Sequence, residues 1–411
     1  MSAYFRIALR GCFGLALCVG LVSCGGSDTV GSSSGGSGTG TVTPANNVVS
    51  VTVSAGPSNN AINVLYTTVT VCLPGTSNCQ TIDNIQVDTG SYGLRILAPV
   101  LTLTFPVAAL SNGSALVECT SFADGYSWGP VTLADVQVSG ESASSVPVQI
   151  IGDSRYPTVP TNCMNSAPTA EDTVATFGAN GILGIGPFPS DCGEACVEGP
   201  TAPSIVYYAC STESNCTGTA VPEASQVPNP VTLFASDNNG TIITLPSAPS
   251  AGTATLTGSL IFGIDTESNN ASGTETVVPI ATTGTYPGYI TTTFDGNPLS
   301  QSFIDSGSNA YFFTDTLTPC PDSGFSGFYC PSSTTSLSGE MQLASGTSTV
   351  DFEIGNAEQI SESLAAFPGL GGTNPQPNSF DWGLPFFYGR RVAIAIQGST
   401  TSVGSGPYIA Y

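Results

Sequence analysis

The sequence predicts an all-β protein built as two halves of similar order. Three observations carry this. Short runs of β-branched and aromatic residues are separated by turn residues, and no segment sustains a 3.6-residue apolar period. An acidic loop also recurs, as Val87-Asp88-Thr89-Gly90-Ser91 and as Ile304-Asp305-Ser306-Gly307-Ser308. The 48 glycines and 30 prolines among 411 residues disfavour long helices, because each costs about 1 or about 3 kcal/mol in a helix interior.

Along the chain, residues 1–24 read as a signal peptide. Arg6 and Arg10 supply its positive end, and Gly11–Val22 is an apolar run too short to span a bilayer. Leu21-Val22-Ser23-Cys24 resembles a bacterial lipobox, which implies cleavage and lipidation at Cys24; the alternative is an ordinary signal peptide with a chance cysteine. Residues 25–47 are a Gly/Ser/Thr linker of the flexible kind. No later stretch approaches 18 consecutive apolar residues, so the mature chain is expected to be anchored by lipid rather than to span the membrane. Gly25, in place of an aspartate after the lipidated cysteine, favours the outer membrane. The pattern is similar to that of a group of bacterial surface lipoproteins.

From Val48 onward the strand pattern takes over. Val48–Val53, Val64–Cys72, Val131–Val138, Val146–Ile151, Thr241–Leu245, Leu256–Ile264, Tyr289–Phe294, Val350–Ile354 and Val392–Ile396 are the expected strands. Asn238-Asn239-Gly240 and Asp295-Gly296-Asn297 are turn clusters between them. The internal repeat divides the chain into an N-terminal lobe, 48–255, and a C-terminal lobe, 256–411, with one acidic loop in each.

Composition removes several functions. The six cations, all arginine, stand against 29 acids, for a net charge of −23. No basic surface exists to displace counterions from nucleic acid, so nucleic acid is not an expected partner. The chain has no histidine, which excludes Ser-His-Asp and Cys-His catalysis and histidine-bearing zinc sites. Hydrolysis would have to run on carboxylates, a Ser/Arg variant or an oxygen-ligated metal. No EF-hand spacing is present, and no metal or other cofactor is expected.

Setting aside Cys12, Cys18 and Cys24, ten of the 13 cysteines remain, an even set that reads as disulfides in an exported protein. Short loops suggest Cys72–Cys79, Cys210–Cys216 and Cys320–Cys330. Cys119–Cys163 and Cys192–Cys196 would complete the set, with re-pairing among Cys192, Cys196, Cys210 and Cys216 left open.

Two Asp-Thr/Ser-Gly-Ser loops, one per half and each after an apolar run, are far more specific than one. Together with Gly181-Ile182-Leu183-Gly184-Ile185-Gly186 and Trp382-Gly383-Leu384-Pro385-Phe386-Phe387, they resemble the pepsin-like aspartic peptidases. The segment Gly258–Asp265 resembles the opening of that family's second lobe. The resemblance implies the all-β bilobal pepsin-like fold, two barrel-like lobes with a cleft between them, and an endopeptidase that hydrolyses an extended polypeptide substrate with water. Asp88 and Asp305 would be the paired carboxyls, one activating water and one protonating the carbonyl oxygen. Thr89 and Ser306 would bond across the loops, Gly90 and Gly307 would let backbone crowd the pair, and Ser91 and Ser308 would bond the outer carboxylate oxygens.

The resemblance also places a substrate-covering flap at Cys119–Gly129. Phe122 stands where the family has tyrosine, Arg95 where it has tryptophan, and Tyr126 and Trp128 are the substitutes at hand. Arg95 is expected either to lie near the carboxyl pair or to end a strand in solvent. These departures, and a linker without the basic residues of an activation propeptide, favour the alternative of a catalytically inactive surface or periplasmic binding protein on the same fold. Trp382, Phe386 and Phe387 are expected in the core.

Overall fold

The computed structural model describes residues 46–199, 206–285 and 287–411. The signal segment with Cys24, and the linker up to residue 45, lie outside the described residues. Within them the chain is all-β and two-lobed, as the sequence predicts; its only α-helices are single turns at Thr161–Met164, Val174–Phe177 and Glu194–Val197.

The N-terminal lobe closes on itself. Strand Tyr126–Val138 pairs with Glu141–Ile151, which pairs with Tyr92–Leu97. That strand pairs with Gly181–Ile185, then follow Cys79–Asp88 and Leu65–Cys72. Leu65–Cys72 returns to Tyr126–Val138, completing a six-membered ring. Val, Ile and Leu from successive strands fill it, among them Val69, Val71, Ile85, Val87, Leu94 and Val148. Alternation sets this facing: within Leu65–Cys72, Val69 and Val71 point inward while Thr68 is exposed.

A shared sheet joins the halves. Val48–Val53 pairs with Leu65–Cys72 and also, over its full length, with Leu256–Phe262. Gly240–Thr244, Arg391–Ala395, Tyr408–Ala410 and Val277–Pro279 extend the sheet. Leu256–Phe262, which opens the C-terminal half, therefore lies beside the first strand of the N-terminal half. The C-terminal lobe adds a seven-stranded sheet over an aromatic core. Phe380 stacks between Phe313 and Trp382 with ring centroids 5.0 and 4.2 Å away. The Trp382 indole N–H is satisfied by Thr292 Oγ1 at 2.9 Å, as a buried indole requires. Phe386 and Phe387 are likewise fully buried.

Five disulfides form: Cys72–Cys79, Cys119–Cys163, Cys192–Cys196, Cys210–Cys216 and Cys320–Cys330. The pairing left open in the sequence thus resolves into the two shortest loops. Among the described residues no helix is long and apolar enough to cross a membrane.

Candidate active site

Both acidic loops are built the same way. In the first, Cys79–Asp88 runs into the loop and Tyr92–Leu97 runs out, while Gly181–Ile185 threads between them, parallel to the former and antiparallel to the latter. In the second, Asn297–Ile304 and Tyr311–Phe313 flank Asp381–Trp382 in the same two senses. The threading strand demands glycine where it passes the loop. A Cβ on Gly184 would lie 2.5 Å from Tyr92 N, and one on Gly383 2.1 Å from Ala310 O, closer than any side chain permits.

The loops lock to each other through four bonds. Thr89 N–H donates to Ser306 Oγ at 3.1 Å, and Ser306 N–H to Thr89 Oγ1 at 2.9 Å. Thr89 Oγ1 donates to Ile304 O at 3.1 Å, and Ser306 Oγ to Val87 O at 2.9 Å. Each hydroxyl thus donates to the carbonyl preceding the opposite aspartate and accepts from the opposite amide. Gln86 Nε2 adds a bond to Gly307 O at 3.0 Å.

These straps set the Asp88 and Asp305 side chains side by side, near enough for the Asp88 charge to act on Asp305. Both residues are fully buried. Gly90 and Gly307 N–H groups each donate to the Oδ1 of their own aspartate at 2.7 Å. Ser91 donates to Asp88 Oδ2, and Ser308 to Asp305 Oδ2 at 2.9 Å. Burial first, then the Asp88 charge and the Asp381 charge, push Asp305 well above the usual carboxylate range. Asp305 thus holds its proton beside a second carboxyl. Such a pair can act as base and acid in one step.

Beside the loop backbone lies a cavity of about 240 Å³, lined by Thr89 and Gly90 and walled by Tyr92, Phe188, Tyr289, Phe303 and Ile409. Tyr92 meets Phe188 edge-on at 5.7 Å. Burial, then the nearby Asp88, holds the Tyr92 hydroxyl neutral far above its ordinary range. Tyr92 belongs to the Asp88 motif itself, so its position was readable from the sequence; Phe188 and Tyr289 carried no such signal.

The residues assigned to the flap sit in an anchored hairpin. Its strand Ala115–Ser121 pairs outward with Tyr207–Thr212, which pairs with Asn215–Gly218. Tyr126 N–H donates to Thr169 O and accepts at its carbonyl from Glu171 N–H, both at 2.8 Å. The Cys119–Cys163 disulfide fixes the same strand. Phe122 packs edge-on against Phe177 at 5.9 Å, and Trp128 against Tyr208 at 5.1 Å. Trp128 Nε1 donates to Tyr156 O at 2.9 Å, and Tyr126 packs with Trp128 and Cys119.

Arg95 follows neither sequence expectation. Only 1% exposed, it is the cation of a buried network rather than a strand end or a neighbour of the carboxyl pair. Its NH2 donates to Glu118 Oε1 at 2.6 Å and Asp191 Oδ2 at 3.0 Å, and its Nε to Thr120 Oγ1 at 2.9 Å. Tyr207 Oη donates to Asp191 at 2.8 Å and accepts from Val227 N–H at 2.7 Å. Burial, then Glu118, pushes Asp191 well above the usual carboxylate range. One guanidinium therefore faces two carboxyls, Glu118 and Asp191.

Among the described residues, one group of potential metal ligands converges: Cys320, Cys330 and Glu358. The two sulfurs are joined as a disulfide, which leaves no thiolate to bind an ion.

Asp191, Asp305 and Asp381 all have folded values raised by burial. Their contribution to stability is fully present below the unfolded value, about pH 4, and is lost as pH rises through the raised folded values. Asp265 is lowered to about 2 and opposes this, but it is solvated and counts for little. Thermal denaturation should therefore show a higher midpoint at pH 4.5 than at pH 8; a midpoint that rises with pH would contradict the assigned burial of these groups.

No curated protein matches the sequence. Among solved structures, the crystal structure of an aspartic proteinase from Irpex lacteus matches at 16% identity with a TM-score of 0.48. That match covers 88% of this chain and 96% of the other. The family model described as "Protein of unknown function (DUF3443)" matches residues 43–411, and the chain belongs to that family.

Proposed function

We propose that this protein is an aspartic endopeptidase that cleaves extended polypeptide at acid pH, exported and held to the membrane by lipid on Cys24. The observation that carries the reading is the pair of matched loops, strapped together by four hydrogen bonds and giving equivalent donors to the Asp88 and Asp305 carboxyls. In this reading the ionised member of the pair takes a proton from water as the oxygen attacks the peptide carbonyl. The protonated member gives its proton to the carbonyl oxygen, forming a gem-diol. Collapse of the diol breaks the C–N bond, the departing amine takes a proton, and the pair again holds one. The extended substrate would lie across the junction of the lobes, with an apolar side chain in the 240 Å³ cavity.

A second reading, a binding protein without turnover, is favoured by the full burial of both carboxyls and the anchored hairpin. Cleavage of an acid-unfolded protein substrate between pH 3 and 7 separates them. The peptidase reading expects turnover that falls as pH rises through the upper step of the pair, and inhibition by a hydroxyl-bearing transition-state mimic. Saturable peptide binding with no cleavage anywhere in that range would establish the second reading instead.

A further inference from the structure

Arg390 and Arg391 stand side by side where the chain enters the strand Arg391–Ala395, yet they are used differently. Arg391 pairs with Glu275 and donates to Ala271 O at 3.0 Å. Arg95 and Arg155 also pair with carboxylates. Of the four arginines among the described residues, Arg390 alone has no carboxylate within ion-pair reach, in a chain of 29 acids and six cations. Arg390 is nevertheless fixed. Its guanidinium carbon lies over the Phe386 ring, 4.5 Å from the centroid, and its NH1 donates to Phe386 O at 2.5 Å. A guanidinium has five N–H donors, so most of them are left for the cavity that Arg390 lines.

That cavity, of about 230 Å³, shares no residue with the one beside the acidic loops. Tyr311, only 3% exposed, also lines it, near enough to Arg390 for the guanidinium charge to act on its hydroxyl. No carbonyl or carboxylate among the described residues accepts from that hydroxyl. A buried donor thus stands at the cavity short of an acceptor. Phe352 and Phe367 supply an apolar wall. Asp351 and Glu353, alternate residues of the strand Thr347–Ile354, bring two exposed carboxylates to the same cavity, both beyond ion-pair reach of Arg390. Opposite charges therefore stand apart around one aromatic surface. The walls are set in advance. Asn63 Oδ1 accepts from Phe367 N–H and from Tyr388 Oη, both at 2.7 Å, and Asn63 Nδ2 donates to Phe367 O at 2.8 Å. Preorganised walls spare a ligand the cost of ordering them.

We propose that this cavity binds a small zwitterion, an α-amino acid with an apolar side chain. Its carboxylate accepts from Arg390 and Tyr311, its ammonium meets Asp351 and Glu353, and its side chain packs on Phe352 and Phe367. A planar guanidinium fork suits a carboxylate. A ligand that is neutral overall is not repelled by a protein of net charge −23. The volume lies just below the usual range of about 300–1,000 Å³ for ligand cavities, which suits one amino acid and not a peptide chain. The proposal does not rest on the peptidase reading.

Isothermal titration calorimetry of the purified protein at pH 7 tests this with three probes. They are L-phenylalanine, N-acetylphenylalanine, which lacks the ammonium, and phenylalaninamide, which lacks the carboxylate. Phenylalanine should bind saturably at one site, and each of the other two at least about tenfold more weakly. Arg390→Gln should weaken phenylalanine binding about 10–100-fold, the range for a hydrogen bond to a charged group. Tyr311→Phe should weaken it about fivefold, and Arg391→Gln should leave it unchanged. Asp351→Asn combined with Glu353→Gln should weaken phenylalanine binding and strengthen N-acetylphenylalanine binding, a reversal that a damaged fold cannot produce. The three probes on wild type decide the matter even where a variant does not fold. No saturable binding of phenylalanine to wild type would overturn the proposal. So would binding that Arg390→Gln leaves unchanged, or N-acetylphenylalanine bound as tightly as phenylalanine.

Discussion

Asp88→Asn and Asp305→Asn should each reduce cleavage about 10⁴-fold, equivalent to about 5 kcal/mol in the barrier. An amide can neither take a proton from water nor share one with its partner, so both halves of the acid–base step fail together. The two losses should not add, because the pair acts as a unit. Folding should survive in both variants. Asn is nearly isosteric with Asp, and the amide removes a like charge from a fully buried contact. Burial and the Asp88 charge are what raise Asp305. Removing Asp88 therefore relieves repulsion, and the thermal midpoint near pH 7 should hold or rise. Variants that lose activity only in proportion to lost folded protein would remove the assignment. So would variants that cleave at the wild-type rate.

Arg95→Leu should cost about 3–5 kcal/mol of stability, the range for removing one partner from a buried ionic network. Glu118 is fully buried and the Asp191 side chain is 7% exposed, so water cannot replace the guanidinium. Glu118 Oε2 already lacks a partner, which leaves no slack in the network. The loss should be smaller at low pH. Without Arg95 the Asp191 carboxyl, already raised by burial, favours its neutral form more strongly, and acid supplies the proton that neutralises it. Denaturant unfolding at pH 4.5 and 7.5 checks this: the difference from wild type should be greater at pH 7.5. A cost below about 1 kcal/mol at both pH values, the range of a surface pair, would show that the network is not buried in solution.

How far the sequence could be read follows from the range of the interactions. Val48–Val53 and Leu65–Cys72 were legible because side-chain alternation is local, and each strand reports its inward face within six or eight residues. The acidic loops were legible because a motif that occurs twice is its own control. Cys72–Cys79 and Cys320–Cys330 are short loops with few competitors. Arg95 failed because its partners, Glu118 and Asp191, lie on remote segments, and local pattern cannot say which of 29 acids meets a lone cation. The hairpin at Cys119–Gly129 was found, but not the strand it pairs with. Its pairing with Tyr207–Thr212 joins segments far apart in sequence, and short-range patterning does not encode such pairing. Asp381 could have been noticed. It directly precedes the Trp382-Gly383 element, whereas Gly181–Gly186 carries no acid, and comparing the two halves position by position exposes the difference.

The central claim is that the Asp88 carboxyl lies beside the buried Asp305 and helps to raise it. Selective carbon-13 labelling of aspartate, with the Asp305 carboxyl followed by NMR as pH is varied, tests it most directly. The geometry predicts that Asp305 titrates well above an ordinary carboxylate in wild type and moves down in Asp88→Asn. An Asp305 titration curve unchanged by that substitution would contradict it.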